Sequence, residues 1–338
     1  MHLEVERLRL KAPFRISGYT FTDVPVAVVT LRSGDATGRG EAAGVYYLAD
    51  TPEGIVKTLE AHRRAIESGI DRERLRQLLP AGGARNAVDC ALWDLEAQRV
   101  GQPVWRLAGL DHVTPRITTF TLGADEPSVV ACGAKAVPEA RALKLKLSGD
   151  VDADTDRVHA VRETRRDVWL AVDANQGYSL DSLEAVMPTL VDARVKLVEQ
   201  PLPRGREADL EGFDSPIPLA ADESVQGLAD VAGLVGRFNV VNIKLDKCGG
   251  LTEALLIVNE ARRLGLQVMV GNMVGTSLAM APAFVIAQLC DYVDLDGPTF
   301  LTQDRRPSAS YDGGSIQCAS NVWGGGDAGL MRTVTRSA

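Results

Sequence analysis

Residues 142–147, ALKLKL, alternate leucine with lysine, so that two like charges, Lys144 and Lys146, stand two residues apart. Side chains of a β-strand point alternately to its two faces, and a strand here directs the leucines to one face and both lysines to the other. A solvent-exposed edge strand is one explanation. The other is a strand buried on both faces, where a pair of inward charges requires a function.

Seven further short runs of apolar or β-branched residues are also predicted to be strands, and helical segments separate them. The runs are RITTFTL from Arg116, DVWLAVDA from Asp167, KLVEQPL from Lys196, PLAADES from Pro218, NVVNIKLDK from Asn239, QVMVGN from Gln267 and YVDLDGP from Tyr292. Strands that alternate with helices are typical of parallel sheets, and eight such units predict a barrel of the TIM type. A doubly wound open sheet would need a glycine-rich phosphate loop after its first strand, and TLGADEPS from Thr121 has none.

The two ends of the chain do not show this regular alternation of strands and helices. Strand-like VAVVTLRS from Val26 and a helix over RNAVDCALWDLEAQRVG from Arg85 predict an α+β domain at residues 1–113. The barrel follows at residues 114–307. Residues 308–338 are rich in glycine and lack helical periodicity, and we expect this C-terminal segment to return to the first domain.

Composition restricts the class of protein. The chain of 338 residues is 45% hydrophobic and 24% charged, with no apolar run that could span a bilayer and no signal peptide at its start. Its five cysteines lack CxxC spacing, and its net charge is −8 without a basic cluster. These features predict a cytoplasmic protein that binds neither nucleic acid nor membranes.

Three acidic residues end successive runs: Asp173 in LAVDANQGY, Glu199 in LVEQPL and Asp222 in LAADES. A single acid at such a position often caps the next helix. Three acids on consecutive strands converge at a barrel rim, where they repel one another unless a hard dication lies among them. A ligand set that consists of carboxylates, without histidine or cysteine, favours one Mg²⁺ ion, with Mn²⁺ as the alternative.

A third lysine, Lys244 in NIKLDKCGG, ends the sixth run, and the second and sixth strands of eight lie opposite each other. Lys146 and Lys244 are therefore predicted to face the metal from two sides. A lysine that is partly desolvated and crowded by a second cation is expected to have a lowered pKa, as a catalytic base requires.

The last run adds Asp294 and Asp296, again two residues apart. Two carboxylates on one side of a strand end need a cation, such as a substrate ammonium group. The alternative is a pair that caps the turn before Pro298.

Together these motifs resemble the enolase superfamily, in particular its muconate-lactonizing subgroup and, within it, the dipeptide epimerases of the L-Ala-D/L-Glu epimerase type. The features that carry the resemblance are AVDCALWDLEAQRVGQP from Ala87, the KxK of Lys144 and Lys146, the acids Asp173, Glu199 and Asp222, Lys244 followed by Gly249 and Gly250, and the DxD of Asp294 and Asp296.

The resemblance implies an α+β capping domain and a modified TIM barrel, (β/α)₇β, with Mg²⁺ bound by the three acids. It also implies that Lys146 and Lys244 are catalytic bases that serve the R and S faces of the substrate. One lysine removes the α-proton to give an enediolate, the other returns a proton from the opposite side, and the α-carbon is inverted. The substrate would be a small molecule, a dipeptide epimerised at its C-terminal residue, with Asp294 and Asp296 on its ammonium group and Lys144 among the binding residues.

The sequence departs from the family pattern in one loop. Epimerases that act on Ala-Glu have an arginine in a loop of the first domain, and in APFRISGYTFTDV from Ala12 we place Tyr19 at that position, with Arg15 in the preceding strand. The predicted side chain is therefore not glutamate, since Tyr19 and Phe21 suit an apolar group. Further pocket residues are expected from GNMVGTS and from the first run: Thr121, Asn272, Thr276 and Ser277.

Other activities remain open at this stage. An N-acylamino acid racemase or an o-succinylbenzoate synthase shares every metal and lysine position but needs no ammonium site, and a cycloisomerase uses a single lysine. Mandelate racemase relatives use a histidine on the seventh strand. The histidines of this chain are His2, His62, His112 and His159, and none lies in a late strand. That subgroup is therefore disfavoured. The last alternative, a non-catalytic scaffold that keeps the fold, is disfavoured because the whole set of lysines and acids is intact. We expect a homo-oligomer, because barrels of this sort often assemble.

Overall fold

An antiparallel sheet of three strands and a set of helices form the N-terminal part of the computed structural model, which describes residues 1–16 and 19–325. The elements are β1 (His2–Ile16), β2 (Tyr19–Ser33), β3 (Ala36–Ala42), α1 (Pro52–Ala61), α2 (Arg63–Glu67), α3 (Arg72–Leu78), α4 (Gly83–Val100) and α5 (Val104–Leu107). A 3₁₀ turn, Tyr46–Leu48, lies between β3 and α1. The expected helix from Arg85 is confirmed, and Gly101 ends it in the left-handed conformation.

Eight parallel strands follow and form a nearly closed barrel, as predicted. After the short β4 (Arg116–Ile117), the elements are β5 (Thr119–Leu122), α6 (Pro127–Ala136), β6 (Ala142–Lys146), α7 (Val151–Thr164), β7 (Trp169–Asp173), α8 (Leu180–Asp192), β8 (Leu197–Glu199), β9 (Leu219–Ala221), β10 (Val240–Ile243), α9 (Leu245–Cys248), α10 (Leu251–Arg263), β11 (Gln267–Val270), α11 (Ser277–Ala287) and β12 (Tyr292–Val293). The hydrogen-bonded order runs from β5 to β12, and the Leu295 amide donates to Thr118 Oγ1 (2.8 Å) between the two ends of the sheet.

Two of the connections between barrel strands contain 3₁₀ turns instead of the α-helices that we expected. Glu207–Leu210 follows β8, and Leu228–Leu234 follows β9. Proline and glycine in the first of these connections, at Pro201, Pro203 and Gly205, oppose a regular helix there.

The register of the barrel separates apolar from polar side chains. Leu143 and Leu145 of β6 are fully buried in the main core, which lies between the sheet and the surrounding helices. Inside the barrel, a second cluster fills the end at which the strands begin; it consists of Ala171, Leu197, Ala220, Val240 and Met269. Lys144 and Lys146 point inward above that apolar layer, because side chains alternate along the strand. The barrel interior is therefore packed at one end and charged at the other.

The N-terminal part lies on the barrel through helix α4. Asp89 of α4 accepts hydrogen bonds from the Thr252 amide (3.0 Å) and hydroxyl (2.5 Å), and the Trp93 indole donates to the same hydroxyl (2.9 Å). Arg85 donates to the carbonyl of Cys248 (2.5 Å). These buried bonds fix the first domain over the barrel residues that follow β10.

The C-terminal residues return to earlier parts of the chain. Strands β13 (Ser310–Asp312) and β14 (Ser315–Gln317) form a small sheet with β4. Farther on, the Trp323 indole donates to the Arg39 carbonyl (2.8 Å). Residues 326–338 of the predicted C-terminal segment lie outside the described residues. Within the described part of the chain, no helix combines the length and the apolar character that a membrane span requires.

Candidate active site

A cavity of about 310 Å³ lies between the barrel rim and the N-terminal part of the chain. Its floor consists of polar side chains from the carboxyl ends of the barrel strands: Thr121, Lys144, Lys146, Asn175, Lys244, Asn272, Asp294 and Asp296. Its roof is largely apolar and comes mainly from β1, β2 and the 3₁₀ turn Tyr46–Leu48. Ligand sites of barrel enzymes occur at this end of the barrel, and the rim is therefore the candidate active site.

The structure places Lys146 and Lys244 on opposite sides of this cavity. Lys146 ends β6 and Lys244 follows β10, with three strands between them in either direction around the barrel. Each ammonium group is buried and has one acidic partner at its side: Lys146 Nζ is 2.5 Å from Asp173 Oδ2, and Lys244 Nζ is 2.6 Å from Asp222 Oδ2. A group bound at the centre of the cavity would lie between two amines.

Lys144 lies among three acids. Its Nζ contacts Asp294 and is 3.3 Å from Glu199 Oε2 and 3.9 Å from Asp173 Oδ2. Burial lowers the pKa of Lys144, but the surrounding carboxylates outweigh burial, and the net shift is upward.

The predicted lowering of the lysine pKa, which concerned Lys144 and Lys146 as neighbouring cations, is therefore wrong for Lys144. The pKa of Lys244 also rises despite burial, with Asp222 as the largest opposing influence and Glu199 after it. The prediction considered the neighbouring cations and neglected the acids, which have the larger effect here.

The three predicted metal ligands are fully enclosed at the carboxyl ends of consecutive barrel strands: Asp173 ends β7, Glu199 ends β8 and Asp222 directly follows β9. Asp173, Glu199 and Asp222 are at most 1% exposed. Burial raises the pKa of Glu199 to about 7, and the charge of Asp173 adds to this rise. Neighbouring carboxylates disfavour each other's ionisation, because their negative charges repel. Burial also acts on Asp222, but Lys244 and Lys247 outweigh it and hold the pKa of this carboxyl well below its usual range.

These acids do not surround a single point. Within residues 1–16 and 19–325, no group of three His, Cys, Asp or Glu side chains is gathered as a metal site. The carboxylates turn to the neighbouring lysines instead, as the contacts of Asp173 and Asp222 show. The backbone places Asp173 directly opposite Glu199 on adjacent strands, so the separation of their carboxylates depends on side-chain rotation.

Two orphaned oxygens support a cation at this place. Glu223 Oε2 and Asn175 Oδ1 are buried and have no hydrogen-bond partner within residues 1–16 and 19–325. Glu223 follows Asp222, Asn175 lies two residues after Asp173, and the two side chains approach each other (3.4 Å). Burial raises the pKa of Glu223 to about 8, with Asp222 as the next cause. An all-oxygen set with unused acceptors fits a hard divalent cation.

Lys247 and Asn242 are site residues that the sequence analysis missed. Lys247 Nζ donates to Asp222 Oδ1 (2.6 Å), to the Asp222 carbonyl (2.5 Å) and to the Asn242 carbonyl (3.1 Å). Asn242 Nδ2 donates to Glu199 Oε1 (2.7 Å). The sequence contains one signal that could have identified Lys247. It lies three residues after Lys244, and side chains at this spacing are neighbours when a helical turn follows the strand.

Gln200 connects two of the acidic strands. Its side-chain oxygen accepts from the amides of Asp222 (2.9 Å) and Ser224 (3.1 Å), and its backbone adopts a left-handed conformation (φ +36°). A non-glycine residue at positive φ beside a predicted metal ligand is a typical strained position at a functional site.

Asp294 and Asp296 differ in their partners. Asp294 accepts from the hydroxyl of Thr119 and from the ammonium of Lys144. Asp296 accepts from the Thr121 amide (2.6 Å). Burial raises the pKa of Asp296 to about 7, and the charge of Asp294 adds to that effect. Asp294 thus has a lysine partner in its own chain, whereas Asp296 has none among the described residues.

Four predicted pocket residues divide into two groups. Thr121 and Asn272 line the cavity as expected. Thr276 and Ser277 do not, and their prediction is corrected. The Thr276 hydroxyl donates to Glu41 (2.6 Å) and the Ser277 hydroxyl to Asp304 (2.5 Å), because both residues are buried at the start of α11, away from the cavity.

Tyr19 also lies outside the cavity lining. Its side chain is 46% exposed and packs against Tyr46, with 4.7 Å between ring centroids. Phe21, two residues farther along β2, lines the cavity. Of the two aromatic residues expected to suit an apolar group, Phe21 faces the site and Tyr19 does not.

Comparison with known families finds two matches that together cover most of the chain. The enolase C-terminal domain-like family matches residues 129–318. The family described as the mandelate racemase / muconate lactonizing enzyme, N-terminal domain, matches residues 2–109.

Two curated relatives are named for reactions that invert a carbon centre. The L-Ala-D/L-Glu epimerase of Escherichia coli K12 is 37% identical over 307 residues, which cover 91% of this chain and 96% of the relative. The N-acetyl-D-glutamate racemase of a Pseudoalteromonas species is 40% identical over 263 residues, which cover 78% of this chain and 82% of the relative.

Two solved structures share the complete architecture. An enolase family member from Agrobacterium tumefaciens, described with bound sodium and L-Ala-L-Glu, has a TM-score of 0.91 and 37% identity, with 96% of this chain and 99% of that chain covered. The dipeptide epimerase of Enterococcus faecalis V583, complexed with Mg and L-Leu-L-Tyr, has a TM-score of 0.89 and 28% identity, with coverage of 96% and 97%.

Proposed function

Because the chain belongs to the enolase superfamily, with the N- and C-terminal domains of the mandelate racemase and muconate lactonizing enzymes, we propose that it epimerises the C-terminal residue of a dipeptide. The observation that carries this proposal is the pair of acid-paired lysines, Lys146 and Lys244, on opposite sides of one cavity. Inversion at carbon needs a proton acceptor on one face and a proton donor on the other. The chain thus acts as an isomerase on a small molecule.

The residues that would hold Mg²⁺ are Asp173, Glu199 and Asp222. When bound there, Mg²⁺ would hold the substrate carboxylate and stabilise the negative charge that develops on it. Support comes from the oxygen-only donor set, from the orphaned Glu223 Oε2 and Asn175 Oδ1, and from the Mg-complexed Enterococcus relative. Mn²⁺ prefers similar ligands and is the alternative ion.

The proton transfer needs the two lysines in opposite charge states. A neutral Lys146 amine takes the α-proton, and the electron pair of the broken C–H bond passes to the carboxylate end of the substrate. The Lys244 ammonium then donates a proton to the other face and forms the new C–H bond. The reverse substrate uses the same residues in the opposite order. The contacts of Asp173 with Lys146 Nζ (2.5 Å) and of Asp222 with Lys244 Nζ (2.6 Å) position the two nitrogens.

Asp296 is proposed to bind the substrate ammonium group. Among the residues that the structure describes, it lacks a lysine partner such as Asp294 has, and it lines the same cavity as Lys146 and Lys244. Lys144 then acts by neutralising Asp294 beside Glu199. A dipeptide would therefore extend from the acids of the barrel centre to Asp296.

A second candidate is an N-acylamino acid racemase. The specific observation in its favour is the 40% identity to the N-acetyl-D-glutamate racemase. Such an activity would use the same lysines but would leave Asp296 without a cationic partner. We also propose a cytoplasmic location, because all five cysteines are free.

The test is solvent exchange in D₂O with Mg²⁺ present. We expect dipeptides to gain one deuterium at the C-terminal α-carbon and to epimerise, as followed by NMR and mass spectrometry. Lys146→Ala and Lys244→Ala should each slow epimerisation by about 10²-fold or more. Each variant should still exchange one hand of the substrate, and the retained hand should differ between the two.

Lys196→Ala is the matched control, since Lys196 is an exposed lysine that precedes β8 at the opposite end of the barrel. Loss of exchange with both hands in both variants would refute the two-base arrangement. Exchange of N-acetylamino acids without exchange of any dipeptide would assign the second candidate instead.

A further inference from the structure

The roof of the cavity contains a group of aromatic rings above the lysines. Phe21 of β2 and Tyr46 of the 3₁₀ turn both line the cavity, with 5.4 Å between their ring centroids. Val24 and Pro25 continue the same apolar surface. We refer to Phe21, Val24, Pro25 and Tyr46 as the aromatic subsite.

The aromatic subsite lines the same cavity as Lys146 and Lys244, between whose amines the α-carbon would react. Tyr46 is within electrostatic reach of Lys244, Asp222 and Asp173, although burial is the main reason for its raised pKa. A second aromatic pair, Phe14 and Phe300, has its ring centroids 4.7 Å apart. Phe300 ends the turn that follows Asp296, so this second pair belongs to the end of the cavity that we assign to the substrate ammonium.

The described lining of the cavity offers no unpaired cation to an acidic side chain. Its three lysines are paired with the acids of the site. The remaining cation, Arg7, is paired with Asp23 (3.0 Å), and its side chain is 68% exposed. Two acids, Asp50 and Glu53, also line the roof and would repel a carboxylate.

We infer that the epimerised residue carries an apolar side chain of leucine to phenylalanine size, held by Phe21 and Tyr46, and that glutamate is disfavoured. This inference rests on the proposed epimerase function and adds the substrate class. Apolar rings favour the burial of an apolar group, whereas a carboxylate would lose its hydration without gaining a partner. The chain would thus differ in substrate class from the relatives that are named for glutamate.

The experiment ranks four substrates by kcat/KM for α-deuterium exchange: L-Ala-L-Phe, L-Ala-L-Leu, L-Ala-L-Glu and L-Ala-L-Lys. We expect the first two to exceed L-Ala-L-Glu by about 10²-fold, the scale of discrimination that pockets of this kind reach. Phe21→Arg should reduce this ratio by at least about tenfold, because it places a cation in the subsite.

Thr22→Arg is the matched control. Thr22 is exposed on the neighbouring position of β2, so an arginine there adds the same charge on the other face of the strand. We expect its substrate ranking to equal that of the unmodified protein. Phe21→Leu keeps an apolar subsite and should retain the preference for apolar side chains over glutamate.

The outcomes separate the inference from the function on which it rests. A preference for L-Ala-L-Glu or L-Ala-L-Lys in the unmodified protein would overturn the apolar subsite and leave the epimerase proposal intact. Exchange of none of a broad set of dipeptides would overturn the epimerase proposal itself. An equal ratio in Phe21→Arg and Thr22→Arg, with both variants folded by circular dichroism, would show that Phe21 does not determine the preference.

Discussion

At the scale of single residues, Lys247 has the clearest structural consequence for Asp222. Its side chain is 1% exposed, and its ammonium group donates to the Asp222 carboxylate, the Asp222 carbonyl and the Asn242 carbonyl. Lys247→Met keeps the length of the side chain and removes all three donors. We expect a loss of about 3–5 kcal/mol in the free energy of unfolding, because a buried carboxylate loses one of its two cations.

The measurement is urea denaturation followed by circular dichroism. Lys196→Met, at an exposed position, is the control and should change the free energy of unfolding by less than about 0.5 kcal/mol. A Lys247→Met variant as stable as this control would mean that Lys244 alone satisfies Asp222.

The sequence predicted which polar residues meet but not how they pair. Positions at strand ends bring Lys144, Lys146 and Lys244 to the acids, since parallel strands share one edge. The partner of each lysine depends on side-chain rotation, which a pattern of strands does not contain. Tyr19 and Phe21 are two residues apart in β2, so their side chains point to the same face of the strand. Of these two, only Phe21 lines the cavity, because the two residues lie at different distances from the hairpin tip.

At the scale of elements, eight strands were predictable because each is a short apolar run between helical segments. The two 3₁₀ connections, Glu207–Leu210 and Leu228–Leu234, were not predicted. Helical periodicity alone does not distinguish one irregular turn from a regular helix. The site tolerates these turns, since they lie outside the strands that carry Glu199 and Asp222.

The contact between α4 and the residues after β10 depends on glycine. Gly249 has φ +83°, and a Cβ atom there would overlap the guanidinium of Arg85. Gly265 has nearly the same conformation (φ +78°) with nothing within 4 Å of the added Cβ. Gly265→Ala should cost about 1–2 kcal/mol from the left-handed backbone alone. Gly249→Ala should cost about 3 kcal/mol more, because Arg85 must leave Cys248 and Glu253.

Thermal or urea unfolding of both alanine variants checks this prediction. The difference between them isolates the contact, since the backbone strain is common to both. Equal losses would show that Arg85 moves aside without cost and that α4 is not held tightly at this point.

At the scale of the whole molecule, the capping sheet, helix α4 and the barrel share one hydrophobic core. Leu8, Val26 and Trp93 belong to the same buried cluster as Leu143 of the barrel. The sequence indicated both domains but could not place one on the other. Their contacts join residues far apart in the chain, such as Trp93 and Thr252, and no local pattern encodes such a pair.

Asp89 makes this domain contact sensitive to pH. Burial raises its pKa from 3.8 to about 6, and the hydrogen bonds from Thr252 and the charges of Arg72 and Arg85 offset only part of the rise. Between these pH values the folded protein holds a proton that the unfolded chain has released. The contribution of Asp89 to stability is therefore fully present below about pH 4 and is lost as the pH rises through 6.

Asp89→Asn removes this titration. The free energy of unfolding of the unmodified protein minus that of Asp89→Asn should fall by about 2 kcal/mol between pH 4 and pH 7. Other buried acids titrate in both proteins and cancel in the difference. A difference that is constant with pH would mean that Asp89 stays ionised in the folded protein and that the two arginines compensate its burial completely.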